Sequence, residues 1–142
     1  MTEALRSLAI QLQALIRAVV RRQGLSPTQA QILLTLPVDG LPLSELAQRL
    51  GLDASTITRV TSNMATAGLV KRRRSTTDRR VFLIAATAKG RELHQQLQSR
   101  WEQEVRAVLD TLKPERRESL GRDLEELSWL LLRYRAGGGV DG

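Results

Sequence analysis

The sequence predicts a mainly α-helical protein with one small β-hairpin. Apolar residues recur at the three- and four-residue spacing of helix faces near both ends of the chain and between them. Only residues 69–84 break this pattern, with short apolar runs on either side of a polar, basic tract, which is typical of two strands joined by a turn. At 142 residues and 42% hydrophobic content, the chain is long enough for one compact domain.

The N-terminal quarter of the chain is predicted to form two helices. Leucine, isoleucine and valine recur on one helix face over residues 3–22, which predicts the first helix. The tetrapeptide Ser26-Pro27-Thr28-Gln29 then has the serine, first-turn proline and third-position glutamine of a capping box. The second helix is therefore expected to start there and to end near Leu36.

Two short helices with a tight connection are predicted next. Residues 37–42 hold two prolines, an aspartate and a glycine, so they predict a turn and at most a very short edge strand. Ser44 is expected to cap a helix over residues 45–50, and Asp53 is expected to cap another over residues 54–67. A glycine closes each of them. This spacing is that of a helix-turn-helix, in which the second helix enters the DNA major groove.

The rest of the chain is predicted to form the hairpin and two long helices. Thr87 is expected to cap the first long helix and Pro114 to open the second, and both helices carry leucine stripes. Together with the first helix they are longer than a small DNA-binding domain requires, and their apolar stripes need partners. We therefore expect these helices to form the interface of a homodimer. Residues 137–142 are expected to be a disordered tail.

Positive charge is concentrated in one stretch of the chain. The net charge is +7, and residues 54–91 contain nine basic residues and one acidic residue. The remainder of the chain has 13 basic and 14 acidic residues. The excess charge therefore lies in the predicted second helix of the helix-turn-helix and in the hairpin, the localised footprint expected of a surface that binds DNA phosphates. Double-stranded DNA is the expected partner.

The composition excludes several kinds of site. The absence of cysteine excludes disulfides and thiolate metal ligands. His94 is the single histidine, so we expect no metal site, no cofactor, no catalytic His–nucleophile pair and no enzyme activity. No apolar run approaches the roughly 18 to 20 residues of a membrane span, and the N-terminus lacks the core of a signal peptide. We expect a cytoplasmic protein without a membrane partner.

The second helix of the predicted helix-turn-helix carries the candidate base-reading residues. Short polar side chains and arginine on a face turned to a groove are the types that contact bases and phosphates. The alternative is a face that is simply solvated. Arg59 is the base-reading candidate. The predicted contacts on this helix are Ser55, Thr56, Thr58, Arg59, Ser62 and Asn63.

The predicted hairpin supplies the remaining candidates. Four like charges in a row repel one another and need an anionic counterpart, which favours contact with the DNA backbone over a solvated charge run. The tip residues extend this surface, and the alternative for Asp78 and Arg80 is an ordinary surface ion pair, which contributes little to stability. The predicted contacts in the hairpin are Lys71, Arg72, Arg73, Arg74, Asp78, Arg79 and Arg80.

These residues resemble the MarR family of regulators from the first helix to about Tyr134. The motifs that carry the resemblance are LSELAQRLGL at 43–52, STITR at 55–59, GLV at 68–70, DRR at 78–80 and TAKG at 87–90. The family's hairpin pattern, Asp-x-Arg followed after five residues by Leu-Thr, is met except that Ala86 replaces the leucine.

The resemblance implies a fold, a function and further partners. The expected fold is a single winged helix-turn-helix domain over residues 1–136, with a DNA-binding lobe at 26–90 and dimerisation helices at 3–22 and 88–135. The implied function is a homodimeric repressor on a pseudo-palindromic operator, released by a small ligand such as a small aromatic acid. Arg80 resembles the family's minor-groove arginine and Asp78 the residue that orients it. The alternative function is nonspecific, architectural DNA binding.

Overall fold

The protein, described here by a computed structural model for residues 1–138, consists of two compact units, residues 1–101 and the residues from Glu102 onward. The elements are α1 (Thr2–Arg21), α2 (Pro27–Thr35), β1 (Leu41–Pro42), α3 (Leu43–Leu50), α4 (Ala54–Thr66), β2 (Val70–Arg74), β3 (Phe82–Ala86), α5 (Ala88–Leu109) and α6 (Pro114–Ala136). The predicted class, mainly helical with a small hairpin, is confirmed. Gly137 and Gly138 form a turn after α6, and the rest of the predicted tail lies outside the described residues.

The strands form one antiparallel sheet in the order β1-β3-β2. The hairpin register runs from Val70 opposite Ala86 to Arg74 opposite Phe82. On the other side of β3, the two residues of β1 pair with Leu83 and Ile84. The short edge strand predicted before α3 is thus present, and the edge position accommodates Pro42, which has no amide hydrogen to donate to a ladder.

The core of the first unit joins all of its helices to the sheet. One face of α4 is part of this core, where Ile57, Val60 and Met64 are buried together with Leu69. α1 contributes only through its C-terminal half, where Val19 and Val20 are buried. The largest fully buried side chains are Ile32, Leu33, Leu46, Ile57, Met64 and Leu97.

Of the caps predicted at Ser26, Ser44 and Asp53, the structure confirms the first and the last. The Ser26 hydroxyl accepts a hydrogen bond from the Gln29 amide at 3.2 Å, and the Gln29 side chain accepts one from the Ser26 amide at 3.0 Å. Asp53 caps α4. The prediction for Ser44 was wrong: α3 begins at Leu43, after Pro42, so Ser44 lies inside its first turn. The proline ring holds φ at −57°, which leads directly from strand to helix.

The second unit contains the end of α5 and all of α6. α6 begins at Pro114 without a side-chain cap from Lys113, as the sequence predicts. No residue of α6 is buried. Trp129 and Tyr134 are 54% and 59% exposed in the single chain. Within residues 1–138, no helix is both long and apolar enough to cross a membrane.

Candidate nucleic-acid interface

The N-terminus of α4 is held by Asp53. Its carboxylate accepts hydrogen bonds from the Thr56 amide at 2.7 Å and from the Ser55 hydroxyl at 2.8 Å. These bonds lower the pKa of Asp53 to about 2, and the bond from the Thr56 amide has the largest effect. The cap therefore stays ionised at neutral pH, and α4 begins at a defined residue.

The outward face of α4 is polar, but its side chains are not equivalent. The hydroxyl hydrogens of Ser55 and Thr58 are already donated, to Asp53 and to the Ala54 carbonyl oxygen at 2.7 Å. In this arrangement they can accept hydrogen bonds but cannot donate them to a phosphate. Arg59 and Asn63 are the exposed side chains on this face that carry N–H donors. Of the predicted contacts on α4, all are exposed except Thr56, which is half-buried.

The C-terminus of α4 is held by the start of α5. The Thr87 hydroxyl donates to the Gly68 carbonyl oxygen at 2.6 Å, and Lys89 Nζ donates to the Ala67 carbonyl oxygen at 3.1 Å. The Thr87 hydroxyl also accepts from the Gly90 amide at 3.1 Å, which confirms Thr87 as the cap of α5. Lys89 was counted only as part of the basic stretch, because nothing local in the sequence indicates that it reaches a residue 22 positions away.

The basic tract of β2 is divided between the two faces of the hairpin. Successive side chains on a strand alternate between faces, so Arg72 and Arg74 lie on the same face as Val70, whereas Lys71 and Arg73 lie on the other. Arg73 is half-buried and the other three basic side chains are exposed. The four charges that the sequence places in a row therefore form two pairs that face in opposite directions.

Phe82 lies between the arginines of one face. The Cζ atoms of Arg72 and Arg74 lie 4.5 and 4.8 Å from the centre of its ring. Arg74 also donates from Nη1 to the Arg79 carbonyl oxygen at 2.9 Å. Phe82 was not among the residues predicted to form the site. Its place opposite Arg74 follows from the strand register, which composition and charge do not reveal.

The hairpin tip presents Arg80. Asp78 Oδ1 accepts from Arg80 Nε at 3.2 Å and Oδ2 accepts from Nη2 at 3.3 Å, while the Arg80 amide also donates to Oδ1 at 3.0 Å. These bonds lower the pKa of Asp78, and the hydrogen bonds from the Arg80 side chain have a larger effect than the bond from its amide. The Arg80 side chain is nevertheless 91% exposed. The carboxylate thus holds one edge of the guanidinium, and the remaining N–H groups point to solvent.

The turn behind this pair is shaped by Ser75, which was not among the predicted site residues. Its side chain is buried, and its hydroxyl accepts hydrogen bonds from the amides of Thr77 at 3.2 Å and Asp78 at 3.3 Å. The Val81 amide donates back to the Asp78 carbonyl oxygen at 3.0 Å. A serine that bonds to amides two and three positions ahead is a common turn pattern, so this role was accessible from local sequence.

The first unit also contains a small pocket. Its volume is about 210 Å³. His94, on its wall, donates from Nδ1 to the Leu33 carbonyl oxygen at 2.9 Å. Within residues 1–138, no group of three or more His, Asp or Glu side chains is arranged to hold a metal ion. The residues that line the pocket are Leu36, Pro37, Val38, Ala86, Arg91, His94 and Gln95.

Comparison with known proteins finds one family model that matches part of the chain. The MarR family model matches residues 23–81, which span α2 to the end of the hairpin tip. No curated protein sequence matches the chain. Among solved structures, a MarR family protein from Bacillus stearothermophilus is 25% identical, with a TM-score of 0.82, and the match covers 92% of this chain and 91% of that one.

Two further solved structures share the fold at lower identity. A MarR transcriptional regulator from Methanosarcina mazei is 22% identical with a TM-score of 0.78, covering 93% of this chain and 96% of that one. CouR from Rhodococcus jostii, solved with bound p-coumaroyl-CoA, is 22% identical with a TM-score of 0.75, covering 87% and 88% of the two chains. The winged helix-turn-helix fold predicted from the sequence is confirmed by these matches.

Proposed function

We propose that the chain is a member of the MarR family and that it is a transcriptional regulator whose homodimer binds a pseudo-palindromic operator in duplex DNA and represses transcription. Proteins of this family regulate transcription and are generally not enzymes, and we propose no catalytic activity here. The proposed site of action is the cytoplasm, where the DNA is.

The observation that carries this proposal is that the Arg80 guanidinium is held by Asp78 and yet is almost fully exposed. An ion pair this exposed contributes little to stability, so folding alone does not explain why Asp78 holds the guanidinium at two points. A guanidinium has five N–H donors, and the bonds to Asp78 use two of them. The remaining three are exposed at the end of a hairpin, which suits insertion into the narrow, strongly negative minor groove.

The other predicted contacts have separate roles in the proposal. Arg59 and Asn63 on α4 would donate to base edges in the major groove, where arginine pairs with guanine and asparagine with adenine. The hydroxyls of Ser55 and Thr58 would accept from base amino groups, since their hydrogens are already donated. Lys71, Arg72, Arg73, Arg74 and Arg79 would contact phosphates, with Thr56 and Ser62 at the edges of the interface.

Dimerisation is proposed from the exposed apolar side chains of the terminal helices. Contiguous exposed apolar surface is rare on monomers and usually marks an interaction site. In α1 and in α6 such side chains are 36–59% exposed in the single chain. They are Leu5, Leu8, Ile10 and Leu12 in α1, and Leu124, Trp129, Leu130, Leu131, Leu132 and Tyr134 in α6.

A small ligand is proposed to release the protein from DNA. The pocket of about 210 Å³ lies below the roughly 300 to 1,000 Å³ of sites for drug-sized molecules, so it suits a small ligand. A lining that combines apolar side chains with Arg91 and His94 suits a small aromatic acid. CouR, a structural relative, was solved with an aromatic acyl-CoA. Titration with benzoate, followed by loss of DNA binding, tests this part of the proposal.

The test of the function is specificity. Genomic fragments retained by the purified protein would be sequenced, and the best of them compared with random duplex DNA at one fixed salt concentration. A regulator is expected to prefer its operator by roughly 10³-fold or more. Equal affinity for both DNAs would instead support nonspecific, architectural binding, and no affinity for either would contradict both functions.

A further inference from the structure

On one face of the hairpin, two arginine side chains lie over one phenylalanine ring, and these three side chains are called the stack below. The Phe82 ring is in contact range of two guanidinium groups, at 4.5 Å from Arg72 Cζ and 4.8 Å from Arg74 Cζ. Phe82 is 42% exposed, and both arginine side chains are exposed. Distances below about 6 Å to a ring centre are those of cation–π contacts.

The position of this stack on the sheet is informative. Cross-strand partners share a face, so the face that holds Val70 and Ile84 in the core continues outward to Arg72, Arg74 and Phe82. At 42% exposure, Phe82 gains less from burial than a phenylalanine in the core would. Its contacts there are with two cations that no carboxylate neutralises among the ion pairs of the described residues.

We propose that Phe82 is a positioning residue for DNA binding, which holds the Arg72 and Arg74 guanidinium groups in place as a two-pronged clamp for backbone phosphates. A contact with the ring uses none of the five N–H donors of a guanidinium, so N–H groups of both arginines stay available for hydrogen bonds to phosphate oxygens. Arg74 is further fixed by its bond to the Arg79 carbonyl oxygen. The clamp rests on the proposed function, because it presumes that duplex DNA is the ligand.

The physical reason is the cost of ordering long side chains. A free arginine loses rotamer freedom when it binds a phosphate, and a pre-ordered arginine has already lost it. Lys71 and Arg73 lie on the opposite face of the same strand and do not share the ring. They therefore serve as matched controls, with the same charge and the same element but no contact with Phe82.

The first experiment examines the free protein by NMR. The side-chain Nε–Hε protons of Arg72 and Arg74 are expected to show ring-current shifts that disappear in Phe82→Leu and persist in Phe82→Tyr. Since Phe82 is partly exposed, the leucine variant is expected to fold, and its thermal unfolding curve checks that it does.

The second experiment measures affinity for a random-sequence duplex of about 30 base pairs, because phosphate contacts dominate nonspecific binding. Phe82→Leu changes no charge, yet it is expected to weaken binding about three- to tenfold, and Phe82→Tyr is expected to restore it. Arg72→Ala should cost less affinity in the Phe82→Leu background than in the wild type. Lys71→Ala should cost the same in both backgrounds.

The outcomes separate this inference from the proposed function. If Arg72→Ala and Arg74→Ala weaken binding but Phe82→Leu binds like the wild type, the clamp is refuted and the DNA-binding function stands. If Phe82→Leu and Arg72→Ala have additive effects, Phe82 acts independently of the arginines and the clamp is also refuted. If the wild type binds no duplex DNA, both proposals fail.

Discussion

Asp78 and Arg80 form a pair whose geometry matters more than its strength. The carboxylate fixes one edge of a guanidinium that is 91% exposed, so removal of either side chain is expected to leave the fold intact. Contacts that depend on one another are not additive when both partners are changed. The two single variants and the double variant therefore show whether Asp78 and Arg80 act together or independently in DNA binding.

Arg80→Ala is expected to weaken operator binding. It should also reduce the slope of log affinity against log salt concentration by about one, because one cationic contact near the phosphates is lost. Asp78→Ala should have a smaller effect in the same direction. The double variant should bind little worse than Arg80→Ala alone, because Asp78 acts through Arg80. Fluorescence anisotropy over a salt series measures all three, and additive losses would indicate two independent roles.

Arg59→Ala is expected to cost about 1 to 3 kcal/mol of binding free energy per half-site and to relax preference at particular base positions. The reason is that a base-edge contact is lost, not only a charge. Arg122→Ala is the matched control. It removes the same charge from α6, outside the proposed DNA-binding interface, where Arg122 pairs with Glu118. Competition binding with single-base operator variants measures preference, and unchanged preference would exclude Arg59 as a base-reading residue.

The N-cap of α4 predicts a pH dependence. The pKa of Asp53 is lowered from 3.8 to about 2 by the folded-state hydrogen bonds, so the carboxylate favours folding while it is ionised. This contribution is present above about pH 4 and is lost as the pH falls toward 2. Asp53→Ala should lower the thermal midpoint by a few degrees at pH 7 and much less near pH 2. An equal loss at both pH values would contradict an ionised cap.

At the scale of elements, α4 is positioned from both ends. Asp53 holds its first turn, and Thr87 and Lys89 from the start of α5 bond to the carbonyl groups that follow its last turn. Gly90 lies where α5 passes close to Leu69, and a Cβ at this glycine would overlap the Leu69 carbonyl oxygen. The direction of α4 is therefore coupled to the first turn of α5.

Gly90→Ala is expected to destabilise the protein by about 1 to 3 kcal/mol, because the backbone must shift to admit the methyl group. Gly121→Ala is the matched control, since a Cβ at that helical position meets nothing within 4 Å and alanine favours a helix. Urea unfolding of both variants measures the difference. If Gly90→Ala were as stable as Gly121→Ala, the backbone would have moved away from the added methyl group without a loss of unfolding free energy, and the prediction would be wrong.

At the scale of the whole molecule, the first unit contains a buried core, whereas α6 buries no side chain in the single chain. A helix with exposed leucine and tryptophan side chains needs further packing to be stable in water. The proposed homodimer supplies it.

The protein is accordingly expected to sediment as a dimer at micromolar concentration. The double variant Trp129→Glu with Leu131→Glu should shift it toward monomer and weaken operator binding, because two half-sites are then bound independently. Arg122→Glu with Glu118→Arg, an exchange of an exposed pair on the same helix, is the control. A wild-type monomer at all concentrations would contradict the dimer.

The sequence by itself determined the elements, because their signals are local. Helical spacing of leucines, the capping box at Ser26, the Asp53 cap and the closing glycines each act within a few residues, and the structure confirms them. The clustering of basic residues between Ala54 and Arg91 was likewise visible from composition. The start of α3 was missed because a serine cap was expected where Pro42 itself provides the helix entry.

Only the tertiary structure decided how these elements present their side chains. Hairpin register divides the basic tract between two faces and places Phe82 between Arg72 and Arg74, and a shift by one residue would exchange the faces. The bonds from Thr87 and Lys89 to the end of α4 span 19 and 22 positions. Such contacts depend on how distant segments pack, and local propensity contains no information about that packing.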